Sequence, residues 1–511
     1  MKRKILQLMS IMIITVMFTT TANALQDEEV TPSDEPVNED IDPLVDIAVT
    51  VTIQEIRAYD RIDMFTDPDF YVKVFINDVE HTSPVWRNQR YILPQWSVTQ
   101  DVPDTEENVR ITIQLWDWNV VKDRQCDISY NAQSDPLSYD VDIIYNLKTG
   151  HWQGDDYLSP EPIMFDRSGY GRLNGCDDNT IYENDRDCEM LFDISYNDYD
   201  NDTIPYWTEV NVYGTDPTID NTGEDVDGDG CPIEWEWKWG YDPLTWDDHS
   251  TLDPDNDGIT NIEEYLTSQW GSDPFRKDLF VELDQMESGP NGEGGKPIPQ
   301  LTKDLLRDAF SKHNIVYHLD DGSLGGGEFI PFDNETSNQE LQDIYLHYFM
   351  NNNASYWRRG VFHYALIIYH SERYPGFAFG TSVDGETYLI DSFQLSTKMH
   401  DFFPFRYPLV GAIIRGGLDY DYQRAVSYAS VMMHETGHTL GIFSGNVAGC
   451  DGYYSTFPRK DWWKWVRYRS CMNYQYCYAL VDYSDGSRGR NDFDDWNNID
   501  LTFFQREVVW H

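Results

Sequence analysis

The chain has 511 residues and a formal net charge of −52, from 89 Asp and Glu against 37 Lys and Arg. Such a polyanion repels nucleic acid and anionic membrane unless a cation bridges the contact, so nucleic-acid binding is excluded. Hydrophobic residues at 40% and aromatics at 15% supply enough apolar surface for real cores, and the length suits two to four domains.

Residues 1–24 read as an export signal. Met1–Lys4 is basic, Ile5 to Thr20 is mostly apolar, and Ala22-Asn23-Ala24 is a small-x-small cleavage site. The protein is therefore expected to be secreted, either free in the extracellular space or attached to the cell surface, where disulfides are permitted. Seven cysteines leave at least one thiol over. Local proximity offers the pairs Cys176–Cys188 and Cys450–Cys471, with Cys126, Cys231 and Cys477 as candidates for the remainder. Residues 25–46 read as an acidic linker, with nine acidic residues, no basic ones and prolines at 32, 36 and 43.

From 47 to 195 the pattern turns to strands. Asp46-Ile-Ala-Val-Thr-Val-Thr-Ile, Phe70-Tyr-Val-Lys-Val-Phe-Ile and Val109-Arg-Ile-Thr-Ile-Gln-Leu-Trp alternate between turn residues, which predicts an antiparallel β-sandwich. Asp60, Asp63, Asp67 and Asp69 precede one strand, and Asp117, Asn119 and Asp123 follow another. The stretches FTDPDFYVKVF and LWDWNVVKD resemble a C2 domain, the calcium- and lipid-binding sandwich. That resemblance implies calcium ligands at Asp67 or Asp69, Asp117 and Asp123, and a calcium-mediated surface or lipid contact. Asn119 stands where an acid is usual.

Residues 196–276 read as a calcium module. Positions 198–273 hold 21 Asp and Glu against one basic residue, Lys238, and such crowding is costly unless something neutralises it. Asp198, Asp200, Asp202 and Glu209 sit at positions 1, 3, 5 and 12 of a loop. Asp225, Asp227, Asp229 and Glu236 repeat the spacing, as do Asp253, Asp255, Asp257 and Glu264. Alternate residues of a tight loop turn their oxygens inward and the twelfth adds a bidentate carboxylate, giving an oxygen cage for Ca²⁺. Gly230 and Gly258 occupy position 6, where Thr203 departs from the pattern. Gly-x-Asp-Pro turns follow each loop at 214–217, 240–243 and 271–274. The module resembles thrombospondin type-3-like calcium repeats.

Residues 277–511 read as one α/β domain. Strands are predicted at Asp278-Leu-Phe-Val-Glu-Leu, Phe362–Tyr369 and Leu409–Arg415, and helices over Leu301–His313 and Tyr422–Gly441. The last helix carries His434, Glu435 and His438. Histidines at i and i+4 share a face about one turn apart, so both imidazoles reach one Zn²⁺. Glu435, beside the first of them, is placed to take a proton from an attacking water and return it to a leaving amine. Gly441 lets the chain turn sharply after the helix. With Ser470-Cys-Met472-Asn-Tyr474 downstream, the segment resembles the metzincin clan of zinc peptidases, a zincin domain. The resemblance implies a zinc metalloendopeptidase acting on a peptide or protein substrate, with Met472 as the turn methionine and Tyr474 as an oxyanion stabiliser. The clan's third ligand would fall on Ser444, a poor zinc ligand. Either Asp451 takes that place, held by a Cys450–Cys471 bridge, or the domain is an inactive relative in a calcium-dependent surface-binding or adhesion protein.

Other features read as structural. His363 and His370 are expected as core or edge histidines, and Trp462, Trp463, Trp465 and Tyr468 as a core patch or a cleft lining. The acidic stretches 482–486 and 491–495 read as solvated turns.

Overall fold

The computed structural model describes residues 40–63, 66–129, 139–155, 171–178, 180–183, 185–353, 355–371, 376–382, 388–398, 400, 420–452, 460–505 and 507–508. The export signal, most of the acidic linker and the expected strand Leu409–Arg415 lie outside the described residues.

Eleven strands build the N-terminal part among the described residues: β1 (Ala48–Ala58), β2 (Phe70–Ile76), β3 (Val79–Thr82), β4 (Tyr91–Ile92), β5 (Trp96–Asp101), β6 (Asn108–Asp117), β7 (Arg124–Cys126), β8 (Val141–Asn146), β9 (Trp152–Gly154), β10 (Arg172–Asn174) and β11 (Cys188–Tyr196). They form two antiparallel sheets. One runs β10-β11-β1-β4 with β5 also on β1, and the other β3-β2-β6-β8-β9 with β7 on β6. Period-two alternation turns Val49, Val51 and Ile53 of the first sheet toward Val72, Val74, Ile111 and Ile113 of the second, in one shared core. This is the expected antiparallel sandwich. The linker, however, ends earlier than position 46. Ile41 is buried in the sandwich core and its N–H donates to Asp104 O at 3.0 Å, so an apolar side chain ends the acidic run by packing.

The C-terminal part is a mixed sheet with β12 (Asp278–Met286), β13 (Val316–Asp320), β14 (Phe329–Ile330), β15 (Phe362–Ile368), β16 (Gly376–Ser382), β17 (Tyr388–Ser396), β18 (Ala448–Asp451) and β19 (Glu507–Val508) as its strands and neighbours. The order is β13-β12-β15-β17-β16; β12, β13, β15 and β17 are parallel, and β16 alone runs antiparallel on that path. β15 is buried along its whole length, which is why it reads as an unbroken apolar run. One face packs on helix Gln300–Ser311 and on the long helix Tyr420–Thr439, and the other on Tyr345, Phe349 and Leu341. His363 is a core histidine on β15, its ring tilted 34° against Phe504 with centroids 3.9 Å apart, and burial pushes it down to about 3. Tyr468 is core while Trp463 is exposed.

The sandwich is bolted to this domain by buried charge. Arg172 donates to Glu189 Oε1 at 2.5 Å within the sandwich and to Ser311 O at 3.0 Å across the junction. Arg57 pairs with Asp308 at 3.0 Å. Removing one partner of such a pair strands the other charge in a dry place. Arg172→Ala should therefore cost about 3–5 kcal/mol, read as a lowered urea midpoint. A change under about 0.5 kcal/mol would show that the junction does not depend on it.

Candidate metal centres

The first centre lies on the long helix. His434, Glu435 and His438 are all buried on it. Each imidazole donates its Nδ1–H to a backbone carbonyl, His434 to Cys471 O at 2.8 Å and His438 to Ile442 O at 2.7 Å. Both Nε2 lone pairs are thereby turned the same way. They meet Asp451 Oδ1 at 3.2 Å from His434 and 3.6 Å from His438. That oxygen is buried and accepts no hydrogen bond. Ligands about 2.0–2.1 Å from a tetrahedral zinc stand about 3.3 Å apart, so this triad has zinc spacing. Burial pushes Asp451 up, but protonated imidazole beside it outweighs this and holds the carboxyl well below the usual range, and His434 is itself pushed well above its ordinary value, so a proton takes the place of a metal cation here. The fit is good: with both imidazoles neutral, three acceptors face one point, a costly arrangement unless a proton or a metal ion is shared among them.

Local geometry explains how Asp451 reaches the two histidines. Gly441 turns at φ +89°, and the chain returns through β18. Asp451 itself sits at φ +53°, a left-handed conformation tolerated by Asp, and its N–H donates to Met472 O at 3.1 Å. Met472 fills the space under the helix, where a Cβ on Gly437 would come within 2.5 Å of its Sδ. The expected Cys450–Cys471 bridge is absent, and both thiols are free and buried. The backbone bond between Asp451 and Met472 supplies the link instead. Cys176–Cys188 is likewise unformed. Cys188 neighbours Cys126, because Asp127 and Asp187 bridge side by side, and the Cys176 thiol donates to Asp187 at 3.4 Å. The stretches read as solvated turns are also structural. Asp495 is fully buried and accepts the Tyr468 hydroxyl at 2.8 Å, and Asp482 O receives Cys471 N–H at 2.9 Å, bracing the chain beside Met472.

Glu435 lies beneath β16. A Cβ at Gly376 would stand 2.6 Å from its Oε1 and 2.7 Å from Val431 Cγ1, so a larger residue there would push against the carboxylate. Tyr474 stacks on His434 at 5.5 Å, and burial, then the charges of Asp451 and Glu435, keep its hydroxyl protonated. Ser444 takes no part among these contacts. Cys477, set aside as a spare thiol in the sequence, lies against the His434 imidazole; no spacing signal marks it.

The second set of centres is the three loops. Glu209, Glu236 and Glu264 are at most 1% exposed. Neither oxygen of Glu236 or Glu264 accepts a hydrogen bond, and Asp200, Asp227 and Asp255 each bury an oxygen in the same state. Twelfth-position carboxylates buried with both oxygens unmet fit a bidentate calcium ligand. Gly230 and Gly258 turn at φ +104° and +97°, whereas Thr203 is forced to +77° in the first loop. The first-position aspartates brace the loops: Asp225 accepts from Gly228 N at 2.7 Å, and Asp253 from Gly258 N at 3.0 Å. The third loop touches the C-terminal sheet, since Asp278, first residue of β12, donates its N–H to Asp257 at 2.6 Å.

In the sandwich, Asp69, Asp117 and Asp123 come together, while Asp67 is exposed. Asp69 accepts from Asn88 N at 2.7 Å and pairs with Arg87 at 3.1 Å. Asp117 accepts from Asp69 N at 3.0 Å and from the Asn119 side chain at 2.6 Å. Asp123 accepts from Asn119 N at 2.9 Å and from Tyr71 at 3.0 Å. Both oxygens of each of these three aspartates already accept a hydrogen bond, whereas each loop keeps at least one buried carboxylate oxygen that accepts none.

With this geometry in place, comparison with known proteins bears on the sandwich. Residues 48–138 match the family described as C2 domain. Solved structures similar to part of the chain include one titled as the structure of a C2 domain, at 11% identity and TM-score 0.17, covering 29% of this chain and 98% of that one. A C2 domain protein from Ramazzottius varieornatus matches at 9% identity and TM-score 0.18, over 29% and 87%. Human GIVD cytosolic phospholipase A2 matches at 13% identity and TM-score 0.16, over 29% and 16%. No curated protein matches the chain. The chain thus carries a C2 domain at residues 48–138, inside a sandwich completed by β11.

The loops carry a pH signature. Burial, offset in part by the Thr215 hydroxyl, pushes Glu209 up to about 8, and burial likewise pushes Asp202 up to about 6. A carboxyl raised on folding binds more protons folded than unfolded. Its contribution is full below about pH 4 and lost as pH rises through about 8. The melting temperature in chelator should fall across that window, and saturating calcium should abolish the fall by taking the protons' place. A flat profile in chelator would contradict buried, uncompensated loop carboxylates. Thr203→Gly should raise stability by about 1 kcal/mol by relieving the left-handed strain, read from denaturant midpoints.

Proposed function

We propose that the chain is an exported zinc-dependent endopeptidase, stabilised by calcium and held at a surface by its C2 domain. One observation carries the reading: His434, His438 and Asp451 converge at zinc-ligand spacing beside a buried Glu435. Bound there, zinc would supply Lewis acidity toward a peptide carbonyl and make water acidic enough to deprotonate near neutral pH. Glu435 takes the proton of the attacking water on its carboxylate and returns it to the leaving amine. Tyr474, kept protonated, donates its hydroxyl to the carbonyl oxygen as negative charge develops there. β16 ends the described path of the sheet above Glu435, and its outer edge offers backbone groups to an extended peptide. Met472 and the Asp451–Met472 backbone bond hold the third ligand in place. Calcium in the loops adds stability because it binds only the folded form.

Glu435→Gln should lower cleavage of a generic protein substrate by about 10²–10⁴-fold while zinc content stays at wild-type level. His438→Ala should lose both zinc and cleavage. Unchanged turnover in Glu435→Gln would sink the peptidase reading.

A second reading is a calcium-dependent surface-binding or adhesion protein whose zincin fold is inactive. The C2 match favours it, as does Ser444 at the position the metzincin resemblance gives to the third ligand. It differs from the first at zinc, holding none and cleaving nothing. Both readings expect the chain to sediment with phosphatidylserine vesicles in calcium and to stay soluble in chelator; equal recovery in the two conditions would remove the surface role.

A further inference from the structure

The three calcium-type loops are not chemically alike. At position 7 the outer loops carry Ile204 and Ile259, whereas the middle loop carries Cys231. In each loop the fifth-position aspartate accepts an N–H from the following segment: Asn221 to Asp202 at 3.3 Å, Asp247 to Asp229 at 3.1 Å and Asp278 to Asp257 at 2.6 Å. Beside Asp257 the added side chain is a carboxylate, Asp278, whose charge acts on Asp257 and Glu264. Beside Asp229 it is an imidazole, His249.

His249 is fully buried, and its Nε2 lies 3.2 Å from Asp229 Oδ2 and 3.6 Å from Glu236 Oε1. These are the separations found between Asp451 and the two histidines of the first centre. They are contacts without hydrogen bonds, since Nε2 and both oxygens of Glu236 lack any hydrogen-bond partner. The three groups stand at ion-pair distance without hydrogen-bond geometry, close enough to share one cation. Nδ1 is held at 2.8 Å by the Asn261 side-chain amide, whose oxygen is otherwise buried and unbonded. With that oxygen turned to the ring, Nδ1–H donates and the Nε2 lone pair faces the carboxylates. The Cys231 thiol completes the set, with donor atoms of Asp229, Cys231 and His249 all within 4.8 Å of one another.

Calcium takes oxygen ligands, whereas imidazole and thiol select zinc-class ions. We propose that the middle loop, through Asp229, Glu236 and His249 with Cys231 in reach, is a second zinc-class site between two calcium loops. The inference rests on the reading that these loops hold cations, and it changes the ion at one of them.

The test is metal content of the full chain after dialysis against calcium and zinc together. Wild type should keep about two equivalents of zinc, with His249→Gln and His438→Ala keeping about one each. Calcium content should stay the same in both variants. Anomalous difference maps of wild-type crystals at the zinc edge give a readout free of any folding defect, with a peak expected between His249 Nε2 and Glu236. Wild-type zinc content in His249→Gln, or calcium at that peak, overturns the proposal. Zinc at His249 with no calcium in either outer loop would leave it standing while removing the calcium reading, and no metal in any loop would remove both.

Discussion

Buried carboxylates with no Lys or Arg paired to them are the constraint on which this structure rests. Three twelfth-position glutamates are almost wholly buried, and most of their oxygens meet no donor. Isolated carboxylates in such a place either bind protons or bind cations. The module that carries them is not peripheral. Trp237 Nε1–H donates to Thr149 O at 2.9 Å on the sandwich side, and Asp278 opens β12 on the other. A cation bound in the loops would therefore act on the joint between the two folded parts.

The first centre follows the same logic on a smaller scale. Two imidazoles are fixed through their Nδ1 atoms by backbone carbonyls, so only Nε2 is free to serve. One of those carbonyls belongs to Cys471, next to the methionine that fills the space under Gly437. The residue after Cys450 is tied by its N–H to that same methionine. Histidine orientation, the turn at Met472 and the Asp451 carboxylate thus form one closed circuit of backbone bonds, with no disulfide needed.

Periodicity made the sandwich, β15 and the long helix legible, since each buries one face or all of a run. Regular spacing made the calcium-type loops and the two histidines legible, and Thr203 was visible as the loop out of pattern. Asp451 could be picked out as a carboxylate beyond Ser444, but the Cys450–Cys471 bridge expected to hold it is absent and a backbone bond to Met472 stands in its place. The rest depends on contacts distant in sequence. Nothing near Cys477 marks it as a neighbour of His434. His249 lies outside the loop it faces, and Asp495 sits in a stretch whose composition suggests solvent. Cys126 and Cys188 meet only because β7 and β11 bring Asp127 and Asp187 side by side.

How the C2 domain is attached bears on what its surface contact can do. A flexible tether would only raise the local concentration of the C-terminal domain. Here Arg172 and Asn174 of β10 both reach Ser311 O, at the end of helix Gln300–Ser311. Thr302 of that helix donates its hydroxyl to Ala425 O of the long helix at 3.0 Å. The path from sandwich to His434 thus runs through two helices and buried polar contacts, without a linker. Contact at the sandwich would then fix the orientation of β16 and the helix beneath it, and with it the direction from which an extended chain can approach Glu435.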